Sequence, residues 1–202
     1  MKITAYLIGL IWACLAVPVD AEQDPLTLVE TTTHHIIARI KQEGAENLEA
    51  DPKRASALIE EYVLPHFDFN RMSQWVIGKY WREATPEQRA RFTAEFRSLL
   101  VRTYAVALTK YSDQTIEFHP VNAADQSQVT VKTEIIATTG PPVPMEYRMY
   151  RRKGEWKVFD VTIDGVSLVS TYRSSFAAEI RRSGLDKLIE DLASRNLDGS
   201  TG

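Results

Sequence analysis

The sequence predicts an α+β domain, with N-terminal helices packed on a curved antiparallel sheet of about four strands. Three observations carry that expectation. Apolar residues recur at helical spacing from Leu26 to about Tyr111; the period falls to two from Thr115; and it becomes helical again after Asp164-Gly165. Helices that precede an uninterrupted run of strands exclude an alternating βαβ order and its parallel sheet.

Each element has its own signal. Asp24-Pro25 reads as an N-cap followed by proline at the first helical position, and Leu26, Val29, Ile36, Ile37 and Ile40 form the stripe behind it. Asp51-Pro52 repeats the start signal ahead of Ala55, Leu58, Ile59, Tyr62 and Val63. Phe67-Asp68-Phe69 interrupts the pattern before a short helix that carries Met72, Trp75 and Val76. Thr85-Pro86-Glu87-Gln88 is a capping box that opens the longest helix, with Phe92, Phe96, Leu99, Leu100 and Tyr104 inward. Four strands follow, around Ile116-Phe118, Val129-Ile136, Met145-Arg151 and Trp156-Ile163; Gly140-Pro-Pro-Val-Pro144 and Arg152-Lys-Gly-Glu155 turn the chain between them. Val166, Val169, Tyr172, Phe176 and Ile180 then mark a helix stopped by Gly184, and Leu185, Leu188, Ile189 and Leu192 a final one.

The start of the chain fits export. Lys2 precedes an apolar run from Ile3 to Val17, and Val19-Asp20-Ala21 offers small residues for a cut before Glu22. The run is short for a span of ~20 apolar residues. Residues 1–21 are therefore expected to be a cleaved signal peptide, 22–197 a single domain, and 198–202 a disordered tail. The bulky Trp12 argues against lipidation at Cys14, the sole cysteine, so the mature chain is expected to lack disulfides and thiol chemistry. Lys2 and Asp20 leave together with the leader, so the net charge stays at −3 and offers no basic field for nucleic acid.

Catalytic patterns are weak. Gly165-Val-Ser167-Leu-Val169 lacks the second glycine of a nucleophile elbow, and no glycine-rich phosphate loop follows a strand. His66 and Asp68 are two ligand types but not a metal site; they read as a helix-end histidine and an N-cap. By strict alternation Asp160 shares a strand face with Trp156 and Val158. A carboxylate aimed at an apolar interior acts either as an acid–base group with a raised pKa, or as a hydrogen-bonded brace at the strand-to-helix corner. Arg173 suits a lipid phosphate at a pocket mouth or a partner in Asp160 or Asp164. Arg148, Arg151, Arg152 and Lys153 read as a solvated edge or as a docking surface for an acidic partner.

Three blocks of sequence carry a family likeness. They are Gly154-Glu-Trp-Lys-Val-Phe-Asp-Val-Thr-Ile-Asp-Gly-Val-Ser-Leu-Val-Ser-Thr-Tyr-Arg-Ser-Ser-Phe176; Val63-Leu-Pro-His-Phe-Asp-Phe through Met72-Ser-Gln-Trp-Val-Ile-Gly-Lys-Tyr-Trp81; and Phe92 to Tyr111 around Phe-Arg-Ser-Leu-Leu-Val-Arg-Thr-Tyr. In this order they resemble the periplasmic phospholipid-binding proteins of the Mla lipid-transport system, the toluene-tolerance family. The resemblance implies an NTF2-like cone with added helices and a deep apolar cavity for lipid tails. It implies a non-enzymatic monomeric carrier in the periplasm, with phospholipid as cargo and no cofactor. Its implied partners are an inner-membrane ABC-transporter complex with an MCE-type subunit and an outer-membrane lipoprotein–porin complex, and its implied role is to maintain outer-membrane lipid asymmetry. The expected lining is the set of large inward residues on facing elements: Trp75, Val76, Phe96, Leu100, Tyr104, Met149, Val158, Val166, Val169 and Tyr172, with Arg173 at the headgroup. Two alternatives stand beside the carrier: an NTF2-like enzyme using Asp160, and a ligand-free periplasmic adaptor.

Overall fold

The computed structural model describes residues 24–109, 114–123, 126–137 and 139–198. The leader 1–21, Tyr111 and tail residues 199–202 lie outside the described residues. Among the described residues six α-helices come first, α1 Pro25–Glu43, α2 Ala45–Ala50, α3 Pro52–Tyr62, α4 Phe69–Ile77, α5 Lys79–Glu83 and α6 Pro86–Thr109, with a 3-10 turn at Leu64–His66 between α3 and α4. The strands are β1 Thr115–Phe118, β2 Gln128–Ile136, β3 Val143–Arg152, β4 Glu155–Ile163 and β5 Val166–Ser167, followed by α7 Leu168–Ser183 and α8 Leu185–Asp198. The strands pair antiparallel in chain order, β1-β2-β3-β4-β5.

The start signals act as their chemistry requires. Asp24 accepts from the Thr27 amide at 3.0 Å, and Asp51 from the amides of Lys53 and Arg54, each at 3.1 Å. Thr85 and Gln88 close a reciprocal box: the Gln88 amide donates to the Thr85 hydroxyl at 3.1 Å and the Thr85 amide to the Gln88 side chain at 2.9 Å. Each satisfies an amide that a helix start leaves without an internal partner.

The sheet has five strands rather than four. Asp164 and Gly165 both take positive φ, 48° and 76°, and turn the chain into a hairpin that pairs Ile163 with Val166 and Thr162 with Ser167. Two consecutive positive φ values are what the tight two-residue hairpin needs, and Asp-Gly is a favoured pair for it. This removes Val166 from the helix where periodicity put it. It sits on β5, 56% exposed.

A bulge sets the second difference. Arg148 pairs with Asp160 but Met149 pairs with Val158, so Phe159 is an extra residue in β4. One inserted residue exchanges the faces beyond it. Val158, Val161 and Ile163 consequently point to one side, whereas Phe159 joins the helices on the other.

The two faces of the sheet meet different neighbours. Phe159 packs among α4, α6, α7 and α8, with Met72, Val76, Phe92, Phe96, Val169, Phe176, Ile180, Leu188 and Ile189 buried around it. The opposite face carries Val129, Val131, Met149, Val158 and Val161, and packs with Leu28 and Val29 of α1. A third cluster joins Ile36 and Ile40 of α1 to Leu48 of α2 and to Ala55 and Leu58 of α3.

Candidate functional site

The face of the sheet under α1 does not close on its neighbour. Between them lies a cavity of about 450 Å³. Leu28, Val29, Thr32, Thr33, Ile36, Ile37 and Ile40 of α1 form one wall. Met145, Tyr147 and Met149 of β3 and Val158, Val161 and Ile163 of β4 form the facing wall. Phe67, Phe69 and Met72 close one side; Leu100, Val101, Tyr104 and Ala105 of α6 close another. Ile116 and Ile135 extend the sheet wall to β1 and β2.

No Asp, Glu, Lys or Arg lines the cavity among the described residues. Its titratable members are neutral at neutral pH. Burial, and then the Lys157 ammonium, hold His66 below the ordinary histidine range. Burial raises Tyr147, and burial together with the neighbouring Tyr172 hydroxyl raises Tyr104. A wall this apolar favours hydrocarbon and provides nothing to hold a buried ion. Exposure around it is uneven. Ile36, Ile40, Ile59 and Ala105 are buried, whereas Thr32, Thr33, Tyr104, Ile116, Ile135, Met145, Ile163 and Leu168 are half-buried.

Of the ten expected lining residues, Leu100, Tyr104, Met149 and Val158 face the cavity. The other six lie elsewhere, each for a physical reason. Val76, Phe96 and Val169 are buried in the helical core around Phe159. Tyr172 stacks edge-on against Phe96 at 5.4 Å within that core. Trp75 is 37% exposed at the protein surface, where the Arg148 guanidinium covers its ring at 5.3 Å. Val166 is displaced by the β5 hairpin. Arg173 is also away from the cavity wall: it is exposed, and its guanidinium lies against Gly78 at the end of α4.

Asp160 is buried but does not face the cavity, because the bulge at Phe159 turns it to the helical side. There it accepts from the Val169 amide at 3.1 Å and the Ser167 hydroxyl at 2.8 Å, with Arg148 at 3.6 Å. Ser167 in turn accepts from the Ser170 amide at 3.0 Å. The carboxylate thus caps the start of α7 and fixes the strand-to-helix corner.

Asp68 is the corresponding brace on the other side. It accepts from the Arg71 amide at 2.9 Å, from the Tyr150 hydroxyl, and from Arg152 at 2.9 Å, while its own amide donates to the Val158 carbonyl at 2.9 Å. Burial by itself raises the carboxyl, but the Tyr150 and Arg71 bonds and the Arg152 charge together hold it below the ordinary aspartate range. Through these bonds the segment Phe67–Phe69, which walls the cavity, is fastened to β3 and β4.

Sequence reasoning passed over α1 as the main wall. Its lining positions come as adjacent pairs every four residues (28 and 29, 32 and 33, 36 and 37), ending at Ile40, and all are uncharged. A stripe two residues wide with threonines in mid-stripe was the available signal.

With that geometry, the likenesses to known proteins converge. A solved phospholipid-binding protein from Ralstonia solanacearum, in complex with a phospholipid, superimposes with a TM-score of 0.80 at 34% identity, covering 88% of this chain and 99% of that one. The toluene tolerance protein ttg2D of Pseudomonas putida is 31% identical over 176 residues, 86% of this chain and 81% of the relative. The intermembrane phospholipid transport system binding protein MlaC of Haemophilus influenzae is 27% identical over 173 residues, 84% of this chain and 80% of the relative. The MlaC protein family matches residues 30–194, and the chain belongs to that family.

Proposed function

We propose that this protein is a periplasmic carrier that takes glycerophospholipid acyl chains into the cavity between α1 and the sheet. The observation that carries this reading is the cavity itself: about 450 Å³, walled mainly by apolar side chains and without a charged residue among the described ones, in a fold shared with a protein solved as a phospholipid complex. Natural interiors pack densely and leave few voids larger than a water molecule, so a space of this size is built for an occupant. An apolar cavity of ~150 Å³ takes one benzene, so this one corresponds to about eighteen carbons, the content of one acyl chain.

Hydrocarbon burial supplies the affinity, at ~0.8 kcal/mol per methylene, less the cost of ordering the chains. The headgroup stays in solvent, since the described residues of the cavity wall offer it no ionic partner. The carrier loads and unloads at an inner-membrane ABC-transporter complex with an MCE-type subunit and at an outer-membrane lipoprotein–porin complex, thereby maintaining outer-membrane lipid asymmetry. It needs no cofactor and no catalytic residue, and Asp160 acts as a brace. The chain reaches the periplasm through cleavage of residues 1–21. No helix of the described residues is long and apolar enough to cross a membrane.

The test is native mass spectrometry of the mature protein recovered from periplasm, followed by solvent extraction of bound material. Stoichiometric phospholipid is the expected result. An apo mass, with no lipid acquired from liposomes, sinks the reading.

A further inference from the structure

We propose that Ile36, Ile40, Ile59 and Ala105 form a stop that sets the acyl-chain length this protein carries. The inference rests on the carrier reading above and assigns its chain-length specificity to one end of the cavity. These four residues line the main cavity and also a second, separate void of about 10 Å³. The far wall of that void is Leu48, Ala55 and Leu58, each no more than 3% exposed. The stop is therefore one side chain thick, with unfilled apolar space behind it. The void is lined only by apolar side chains, so a water there finds no hydrogen-bond partner.

The dimension along α1 fits one acyl chain. Lining residues run from Leu28 to Ile40, which at 1.5 Å per residue is about 18 Å. One leaflet of a bilayer, half of a ~30 Å hydrocarbon core, is about 15 Å deep. A chain laid along α1 from Leu28 ends against Ile36 and Ile40, both of them buried. Isoleucine is stiff about its first side-chain torsion, so Ile36, Ile40 and Ile59 yield less than leucine or methionine in the same place.

Glu43, at the end of α1, accepts from Arg54 of α3 at 2.6 Å, a surface ion pair that links the two helices beside the stop. Ala105 is the small member of the set, and a larger residue there intrudes on the cavity from α6.

The full mature protein and two variants are loaded from vesicles containing an equimolar mixture of saturated phosphatidylglycerols with chains from about 14 to about 20 carbons, and bound lipid is extracted and read by mass spectrometry. Each methylene gained or lost changes the preference about fourfold. Ile40→Ala joins the void to the cavity and shifts the bound profile longer by about two carbons. Ala105→Leu shifts it shorter by a similar amount. Opposite shifts support the stop, because loss of stability alone moves both variants the same way. Unchanged profiles in lipid-loaded variants overturn it and leave the carrier reading intact. If the unmodified protein takes up no lipid, the carrier reading fails and the stop falls with it. Should circular dichroism show Ile40→Ala unfolded, the milder Ile40→Val takes its place, with a longer shift supporting the stop and an unchanged profile overturning it.

Discussion

The two sides of the sheet are both apolar and end in opposite states. On the helical side, Phe92 stacks on Phe96 at 5.8 Å, and Phe176 meets both rings edge-on at 5.8 and 6.1 Å. On the α1 side, isoleucines, valines and methionines of equal hydrophobicity face a space of about 450 Å³. Hydrophobicity thus drives burial on both sides, but shape decides whether burial is against protein or around a guest. The filled side holds the fold together. The unfilled side gives up packing energy that a ligand restores.

That contrast is open to direct attack, and the largest effect is expected in the filled core. Phe96→Ala should cost about 3–5 kcal/mol in urea unfolding, since a fully buried ring leaves a cavity its neighbours cannot close. A loss under 1 kcal/mol would mean that this side is no better packed than the other. Asp68→Ala comes next, at about 2–4 kcal/mol, from the loss of the α4 cap and of the Tyr150 and Arg152 partners. Its pH signature is separable. A carboxyl held below its unfolded value stabilises fully above about pH 4 and loses that contribution as pH falls through the folded value. Asp68→Asn should flatten the acid limb of the stability profile below about pH 4, and an unchanged limb would remove Asp68 from the account.

Asp160→Ala should cost about 1–2 kcal/mol by uncapping α7 while lipid occupancy stays near that of the unmodified protein. A variant that folds but carries no lipid would instead return Asp160 to the functional site. The smallest effect on stability belongs to the cavity wall. Ile37→Ala should cost less than about 1 kcal/mol in the lipid-free protein, because the side chain already faces empty space. The larger residue at a neighbouring position, Thr33→Phe, should leave stability within about 1 kcal/mol while reducing bound lipid severalfold. If filling the cavity left lipid uptake unchanged, the cargo would have to sit elsewhere.

Much of this architecture was legible in the residues. Asp24-Pro25, Asp51-Pro52 and the Thr85-to-Gln88 box each start a helix where local chemistry alone requires it, and Asp68 caps α4 as its type suggests. The change from helical to twofold period placed the sheet after the helices, and three blocks of sequence carried the family. The Asp164-Gly165 hairpin was available in the same way, as a turn pair with a known strand-pairing preference. These are local signals, set by backbone sterics and hydrogen bonding within a few residues.

Where the cavity lies was decided only in three dimensions. Val76, Phe96 and Val169 are as apolar and as periodic as Ile36, Ile37 and Ile40, yet the first three meet side chains and the last three line the space. An amphipathic stripe records that a face is turned from water; it does not record the distance to what stands opposite. The bulge at Phe159 is likewise a product of strand pairing, and it alone sends Asp160 to cap α7 instead of into the cavity. The sequence by itself determined where most helices and strands start and which side of most helices is apolar, because those follow from neighbours along the chain. Tertiary structure decided which apolar faces meet and which stay apart, because that depends on register and on packing between residues far apart in the chain.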